Sequence, residues 1–326
     1  FMNNSPITAR AHTNIALIKY WGKKDVDLII PQNSSLSLTL DHFYTDTTVK
    51  FDEGLAQDVF TLNGEPAENP KVNHFMDLVR KLAGIQTFAR IDSINHVPSA
   101  AGLASSASAF AALAAAASKA AGLDLSRKDL SRLARRGSGS ASRSIYGGFV
   151  EWQQGQDDQT SYAVPVEEHL DWSIGMLVGI VNSGQKKISS RAGMQTVVET
   201  SPYYQGWIQS TTEDLKSIKK AIQNRDFQKV GEITESNALK MHALNLSAQP
   251  HFNYFEPMSL AIMQEVERIR EEEHIPCYYT LDAGPNVKIL CMQTDAPAIQ
   301  RILASKFDQI TFEFAKPGEG ARFIEA

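Results

Sequence analysis

The sequence predicts an α+β chain of 326 residues folded as two domains. Three observations carry this. The first half alternates strand-like runs with a few helical ones, residues 190–272 keep helical periodicity almost throughout, and short apolar runs then surround a tight turn at Asp282-Ala283-Gly284-Pro285. Length favours two domains over one, and the change of pattern near residues 182–189 sets them at 2–185 and 186–326.

Taken in order, residues 9–18 mix polar and apolar side chains as a strand lining a site would. Lys19-Tyr20-Trp21-Gly22-Lys23-Lys24 then sets cations beside aromatics across a turn at Gly22. Residues 31–40, 45–51 and 58–62 read as separate strands of an antiparallel sheet, with Asn63-Gly64 a hairpin-type turn. In residues 70–83 Val72, Phe75, Met76, Val79 and Leu82 fall at helical spacing behind a first-turn proline, which puts Lys71 at the helix start. Residues 87–94 form a strand leading to 98–121, where small residues run into an alanine-rich helix. Ser126 caps a helix over 126–136. The run 137–144 that follows reads either as a Gly/Ser linker or as hydroxyls and backbone gathered around Arg143.

Residues 145–152 and 174–181 are apolar strands; 190–200, 203–223, 227–244 and 257–272 are helices; 276–281 and 286–292 are strands flanking the Asp282 turn. A short helix and strands at 310–314 and 321–324 complete the chain.

Composition narrows the function. A hydrophobic fraction of 43%, a charged fraction of 21% and a net charge of -5 argue against a nucleic-acid partner and for a small ligand. No run approaches the roughly 20 apolar residues of a membrane span, and no signal-peptide pattern is found, so no membrane partner and a cytoplasmic location are expected. Cys277 and Cys291 are expected as buried thiols. The eight histidines are scattered without HExxH or CxxC spacing, so a metal held by protein ligands is not expected, and His12 reads as a packing neighbour of Asn14.

Polar clusters then need a shared explanation: Asn14 with Lys19 to Lys23, the serine-rich helix start, Ser138 to Arg143, Lys186-Lys187 with Ser190-Arg191, and Asp282 on its turn. Gly102 allows close backbone approach, and Ser105, Ser106 and Ser108 sit where unpaired N–H groups and the helix dipole favour an anion. An ordinary capped helix fits the same stretch. Cations and hydroxyls around phosphates, with a carboxylate beside an acceptor hydroxyl, are what phosphoryl transfer requires.

The string PSAAGLASSA resembles the phosphate loop of the GHMP kinase superfamily, matching at Pro98, Gly102, Leu103, Ser105, Ser106 and Ala107. Together with NIALIKYWGK (14–23), PQNSSLSLTL (31–40), RRGSGSASRSIYGGF (135–149), ISSRAGM (188–194) and DAGPNVK (282–288), in order and nearly end to end, it resembles the mevalonate diphosphate decarboxylase family, in its Gram-positive bacterial form.

The resemblance implies a GHMP-kinase fold. Its N-terminal ATP-binding domain would be mixed α/β, similar to domain 2 of ribosomal protein S5, and its C-terminal helices would pack on a small ferredoxin-like antiparallel sheet. It implies ATP as co-substrate, Mg2+, a homodimer, and conversion of mevalonate 5-diphosphate to isopentenyl diphosphate by phosphorylation of the 3-hydroxyl and loss of CO2.

By the same resemblance Asp282 lies beside the 3-hydroxyl as base or orienting group, Lys19 pairs with it, and Arg143 holds the substrate carboxylate. Substrate contacts are carried over to Asn14, Tyr20, Trp21, Gly22, Lys23, Lys71, Ser138, Gly139, Ser140, Ala141, Ser142, Ser190, Arg191 and Met194. ATP is assigned to Pro98, Ala101, Gly102, Leu103, Ala104, Ser105 and Ser106, to Lys186 or Lys187 at the γ-phosphate, and to Ser93 and Asn95 at the adenine; Ser105 or Ser106 would meet Mg2+. The alternatives are a decarboxylase of mevalonate 5-phosphate, a mevalonate 3-kinase that stops after phosphorylation, and a non-catalytic nucleotide-binding protein.

Overall fold

A computed structural model describes residues 2–96, 105–181 and 188–325. In chain order these form β1 (Ile7–Ile18), the small hairpin β2 (Lys23–Asp25) and β3 (Ile30–Pro31), β4 (Ser35–Phe51), β5 (Val59–Leu62), β6 (Glu65–Pro66), α1 (Pro70–Ala83), β7 (Ala89–His96), α2 (Ser106–Ala120) and α3 (Arg127–Gly137). A 3-10 helix (Gly139–Ile145), β8 (Phe149–Gln153), β9 (Tyr162–Glu167), β10 (Ile174–Ile180), α4 (Ser190–Thr200), α5 (Tyr204–Gln223) and α6 (Phe227–Leu246) come next. Last are α7 (Pro257–Glu272), β11 (Cys277–Thr280), β12 (Val287–Met292), α8 (Ala296–Lys306), β13 (Thr311–Ala315) and β14 (Arg322–Ile324).

Helix boundaries fall where local chemistry satisfies the end groups. The Asn69 side chain accepts from the Lys71 N–H ahead of Pro70, and Gly84 at φ 68° stops α1. Ser126 and Ser189 cap α3 and α4 by accepting from Asp129 and Ala192. Removal of such a cap costs about 1 kcal/mol. α2 carries alanines at 111, 112, 114–117 and 120 that are all buried, which lets it lie close on β1 and β4.

Two sheets organise the molecule. The larger runs β14-β1-β4-β7-β5-β6, with β8 pairing β4 and β9 pairing β8; the smaller runs β11-β12-β10-β13. Two expectations change, and one open alternative closes. Residues 35–51 are one strand, not two, because β4 exchanges partners along its length, meeting β8 over Ser35–Leu38 and β7 over Tyr44–Phe51. β5 pairs β7 in parallel, departing from an all-antiparallel start. The Gly/Ser run after α3 is no linker, since the 3-10 helix it forms buries Ala141, Ser142, Arg143 and Ser144.

The sheets also divide the chain differently from a cut at 185/186. β10 pairs with β12 and β13, whereas β14 returns to β1. One core lies between the large sheet and α1–α3, around Val49, Phe75, Ile91 and Phe110. On the opposite face Ile15, Leu17, Leu36 and Leu38 join Met176, Val178, Ile218 and Ile222, so a second core glues the two sheets together. A third packs α7 and α8 on the small sheet. Cys277 and Cys291 face each other in register there as buried free thiols.

Candidate active site

The end of β1 and the β11–β12 turn meet over a cavity of about 200 Å3. Lys19 follows β1, and its buried Nζ lies 2.7 Å from Asp282 Oδ1 and 2.7 Å from the Ala16 carbonyl. Lys288 on β12 approaches the other carboxylate oxygen at 3.4 Å. Burial alone would push the Asp282 carboxyl up, but Lys19 and Lys288 outweigh it and hold the group well below the ordinary carboxylate range. Burial lowers the Lys19 ammonium in turn, against the opposing pull of Asp282.

Arg143 enters from the 3-10 helix. Its Nε donates to Asn14 Oδ1 at 3.1 Å and its Nη1 to Ser35 Oγ at 2.5 Å, while its Nη2 makes no hydrogen bond among the described residues. Burial lowers the guanidinium to about 10, partly offset by Asp282. Asn14 is held by giving its amide hydrogens to the Ser140 carbonyl and Ser144 Oγ, next to a register shift in β1 between His12 and Asn14. It thus braces Arg143 from the cavity wall.

The opposite end of the cavity is cationic. Lys23, Lys71, Ser190 and Arg191 line it, brought there by the β2 hairpin, the start of α1 and the start of α4. None of the three cations has a carboxylate partner among the described residues. Burial, then repulsion from Arg191 and Lys71, lowers Lys23 to about 8; burial and Arg191 lower Lys71 as well. Tyr20 and Trp21 form the wall between the two ends. The Tyr20 ring stands edge-on to Trp152 at 4.7 Å and its buried hydroxyl has no partner among the described residues. The Trp21 indole donates to Asn245 Oδ1, and Tyr204 Oη donates to the Trp21 carbonyl. Gly22 is required: its φ is +135°, and a Cβ there would fall 1.9 Å from Tyr204 Oη.

Of the residues named from sequence, Asn14, Lys19, Tyr20, Trp21, Lys23, Lys71, Ser106, Ser138, Gly139, Ser140, Arg143, Ser190, Arg191, Met194 and Asp282 line this one cavity. Gly22, Ser105, Ala141 and Ser142 do not. Ala141 and Ser142 are turned into the core, where the Ser142 hydroxyl donates to the Gly139 carbonyl. Ser93 and Asn95 lie on β7 away from the cavity lining, bonded to Thr47 and Thr45. Pro98, Ala101, Gly102, Leu103, Ala104, Lys186 and Lys187 lie outside the described residues. Sequence reasoning missed Lys288, although a lone lysine in the apolar strand VKILCM is a signal, because a buried cation needs a partner.

At the start of α2 the first turn holds no carboxylate and Ser105 makes no side-chain cap, which leaves its first N–H groups and the Ser106 hydroxyl for an anion. No group of His, Cys, Asp or Glu among the described residues is arranged to hold a metal ion, so a divalent ion fits here only with phosphate oxygens completing its shell. The arrangement suits a polyanion stretched from the Lys23 end to Asp282, with a hydroxyl meeting that carboxylate.

Family comparisons match residues 11–163 to a diphosphomevalonate decarboxylase-like N-terminal domain and residues 176–319 to a mevalonate 5-diphosphate decarboxylase C-terminal domain. The diphosphomevalonate decarboxylase of Ganoderma lucidum is 38% identical over 328 residues, covering 93% of this chain and 82% of its own. The crystal structure of mevalonate diphosphate decarboxylase from Staphylococcus aureus superposes with a TM-score of 0.94 at 51% identity, covering 98% of each chain. MDDEF in complex with MVAPP, AMPPCP and magnesium gives 0.94 at 50% identity, over 98% of this chain and 99% of that one. With its GHMP-kinase fold and both domain matches, this chain belongs to the mevalonate diphosphate decarboxylase family.

Proposed function

We propose that this chain converts (R)-mevalonate 5-diphosphate and ATP to isopentenyl diphosphate, ADP, phosphate and CO2, a step of isoprenoid biosynthesis in the mevalonate pathway. The observation that carries the reading is the meeting of Asp282, bracketed by Lys19 and Lys288, with the free edge of Arg143 in one cavity.

In this reading the tertiary 3-hydroxyl sits beside Asp282. A carboxylate held so firmly ionised is a weak base at rest, so its first task is to orient the hydroxyl; it accepts the proton as the new O–P bond forms. Lys19 and Lys288 balance the charge of the transferring phosphoryl group. Phosphate then leaves C3 with the C–O electron pair, and the C1–C2 pair moves in to make the C2–C3 double bond as CO2 departs. Arg143 holds the C1 carboxylate through its unpaired edge.

Lys23, Lys71, Ser190 and Arg191 take the 5-diphosphate, with Tyr20, Trp21, Ser138, Gly139 and Ser140 lining its path, Gly22 making the turn between Trp21 and Lys23, and Met194 against substrate carbon. Mg2+ carried with ATP would supply charge neutralisation between phosphates, and Ser105 or Ser106 is the hydroxyl that would meet it. Ser93 and Asn95, on β7, would border the adenine. The larger sheet with α1–α3 serves as the ATP-binding domain and the remainder as the second domain. A cytoplasmic homodimer completes the reading, its assembly checked by sedimentation. Among the described residues no helix is long and apolar enough to cross a membrane.

The test measures ADP and CO2 release with mevalonate 5-diphosphate and with mevalonate 5-phosphate. Equal release of both products with the diphosphate alone is expected. ADP without CO2, or preference for the monophosphate, sinks the assignment.

A further inference from the structure

Helix α6 touches Lys19 and the peptide that leads into Asp282, and does so from behind the cavity. Asn237 is fully buried. Its Oδ1 accepts the Lys19 backbone N–H at 2.9 Å, and its Nδ2 donates to Thr211 Oγ1 at 3.1 Å and Asp214 Oδ2 at 3.0 Å. Asp214 is itself paired with Lys240 at 2.8 Å. The anion on the Nδ2 side leaves the amide one orientation that satisfies every partner, oxygen toward Lys19. Across the chain Asn33 Nδ2 donates to the Lys19 carbonyl at 2.8 Å. The Lys19 backbone is therefore clamped on both sides, and only its side chain reaches into the site.

Five residues further along α6, His242 is buried and its Nε2 lies 3.1 Å from the Leu281 carbonyl, the peptide that leads into Asp282. A carbonyl only accepts, so Nε2 carries the proton. Burial lowers the imidazole to about 4, which keeps it neutral in this tautomer. Neither Asn237 nor His242 lines the cavity. Lys19 follows a strand of the large sheet and Asp282 a strand of the small one, yet both are hung from one helix.

We propose that Asn237, oriented by Asp214, and His242 are positioning residues that hold Lys19 and Asp282 in register for phosphoryl transfer. A misplacement of about 1 Å in such a constellation costs on the order of 100-fold in rate. The inference rests on the proposed reaction, and its test separates the two.

Asn237→Leu and His242→Leu should lower kcat by roughly 10- to 100-fold with KM for both substrates within about threefold. His242→Gln keeps an N–H at similar reach and should recover most of the loss. Asn237→Asp alone sets a carboxylate against Asp214 and should be impaired. Adding Asp214→Asn reverses donor and acceptor within that pair, keeps an oxygen toward Lys19, and should restore turnover.

A second readout needs no turnover. The Asp282 carboxyl is faced by Lys19, Lys288, Arg143 and His242, and its 13C signal, assigned by loss in Asp282→Asn, should titrate at higher pH in the Leu variants once Lys19 slips away. Unchanged kcat and titration in folded Leu variants overturn the proposal. So does failure of either Gln or the Asp/Asn pair to restore kcat, an outcome readable even if the Leu variants do not fold. Shifted and rescued titration in a chain that releases no CO2 would instead leave the positioning intact and remove the reaction.

Discussion

The two ends of the cavity hold similar numbers of cations and use them oppositely. At the Asp282 end Lys19 and Lys288 are matched to a carboxylate at 2.7 and 3.4 Å, so the charges fix one another before any ligand arrives. At the other end Lys23 and Lys71 crowd Arg191 without an anion among the described residues, and their ammonium groups are held down. In the proposed reaction one end is organised for chemistry, and the other is left unsatisfied so that a phosphate chain supplies what is missing. Preorganised charge speeds a reaction, whereas unmet charge provides affinity.

Substitutions should separate the ends by kinetic parameter. Asp282→Asn removes the charge proposed to orient the hydroxyl and is expected to cut kcat at least about 100-fold with substrate affinity retained; a kcat within a few-fold of normal would erase the contrast. Arg143→Lys keeps the charge but not the fork, and should lower kcat/KM for the mevalonate substrate by roughly 10- to 100-fold while ATP affinity, measured by titration calorimetry, stays put.

Lys23→Met belongs to the binding end. It should raise the substrate KM about tenfold and leave kcat nearly unchanged, in keeping with loss of one charge-assisted hydrogen bond. A fall in kcat with constant KM would blur the two ends. The mildest effect comes from pH. Lys23, lowered to about 8, is charged below that value and neutral above it, so the diphosphate binds the protonated form more tightly. Affinity should be full near pH 7 and weaken by up to about tenfold by pH 9, with proton uptake on binding at pH 8 seen as a buffer-dependent heat. Proton release would reverse the sign and exclude Lys23.

How much of this was legible depends on how far a residue must travel to its partner. α1 and α7 were readable to the residue because Asn69, Pro70 and Pro257 act on their immediate neighbours. The fused strand β4 was not, since Asp41 and His42 look like a break and only β7 and β8, far along the chain, carry the strand through it. β9 escaped notice because Tyr162–Glu167 alternates only weakly, its pattern YAVPVE being interrupted by Pro165.

In the site, Asp282, Lys19 and Arg143 were found through motifs. Their supports were not. Lys288, Ser35 and Asn237 act on groups that folding alone brings near, and Asn237 reads as one more polar residue on an amphipathic helix.

The Lys19–Asp282 contact is also a latch. One half follows a strand of the larger sheet and the other a strand of the smaller, so prising the sheets apart at this point means breaking a charged bond and leaving the buried Lys19 ammonium without its partner. The opposite rim holds no such pair: Lys23, Lys71 and Arg191 repel one another there.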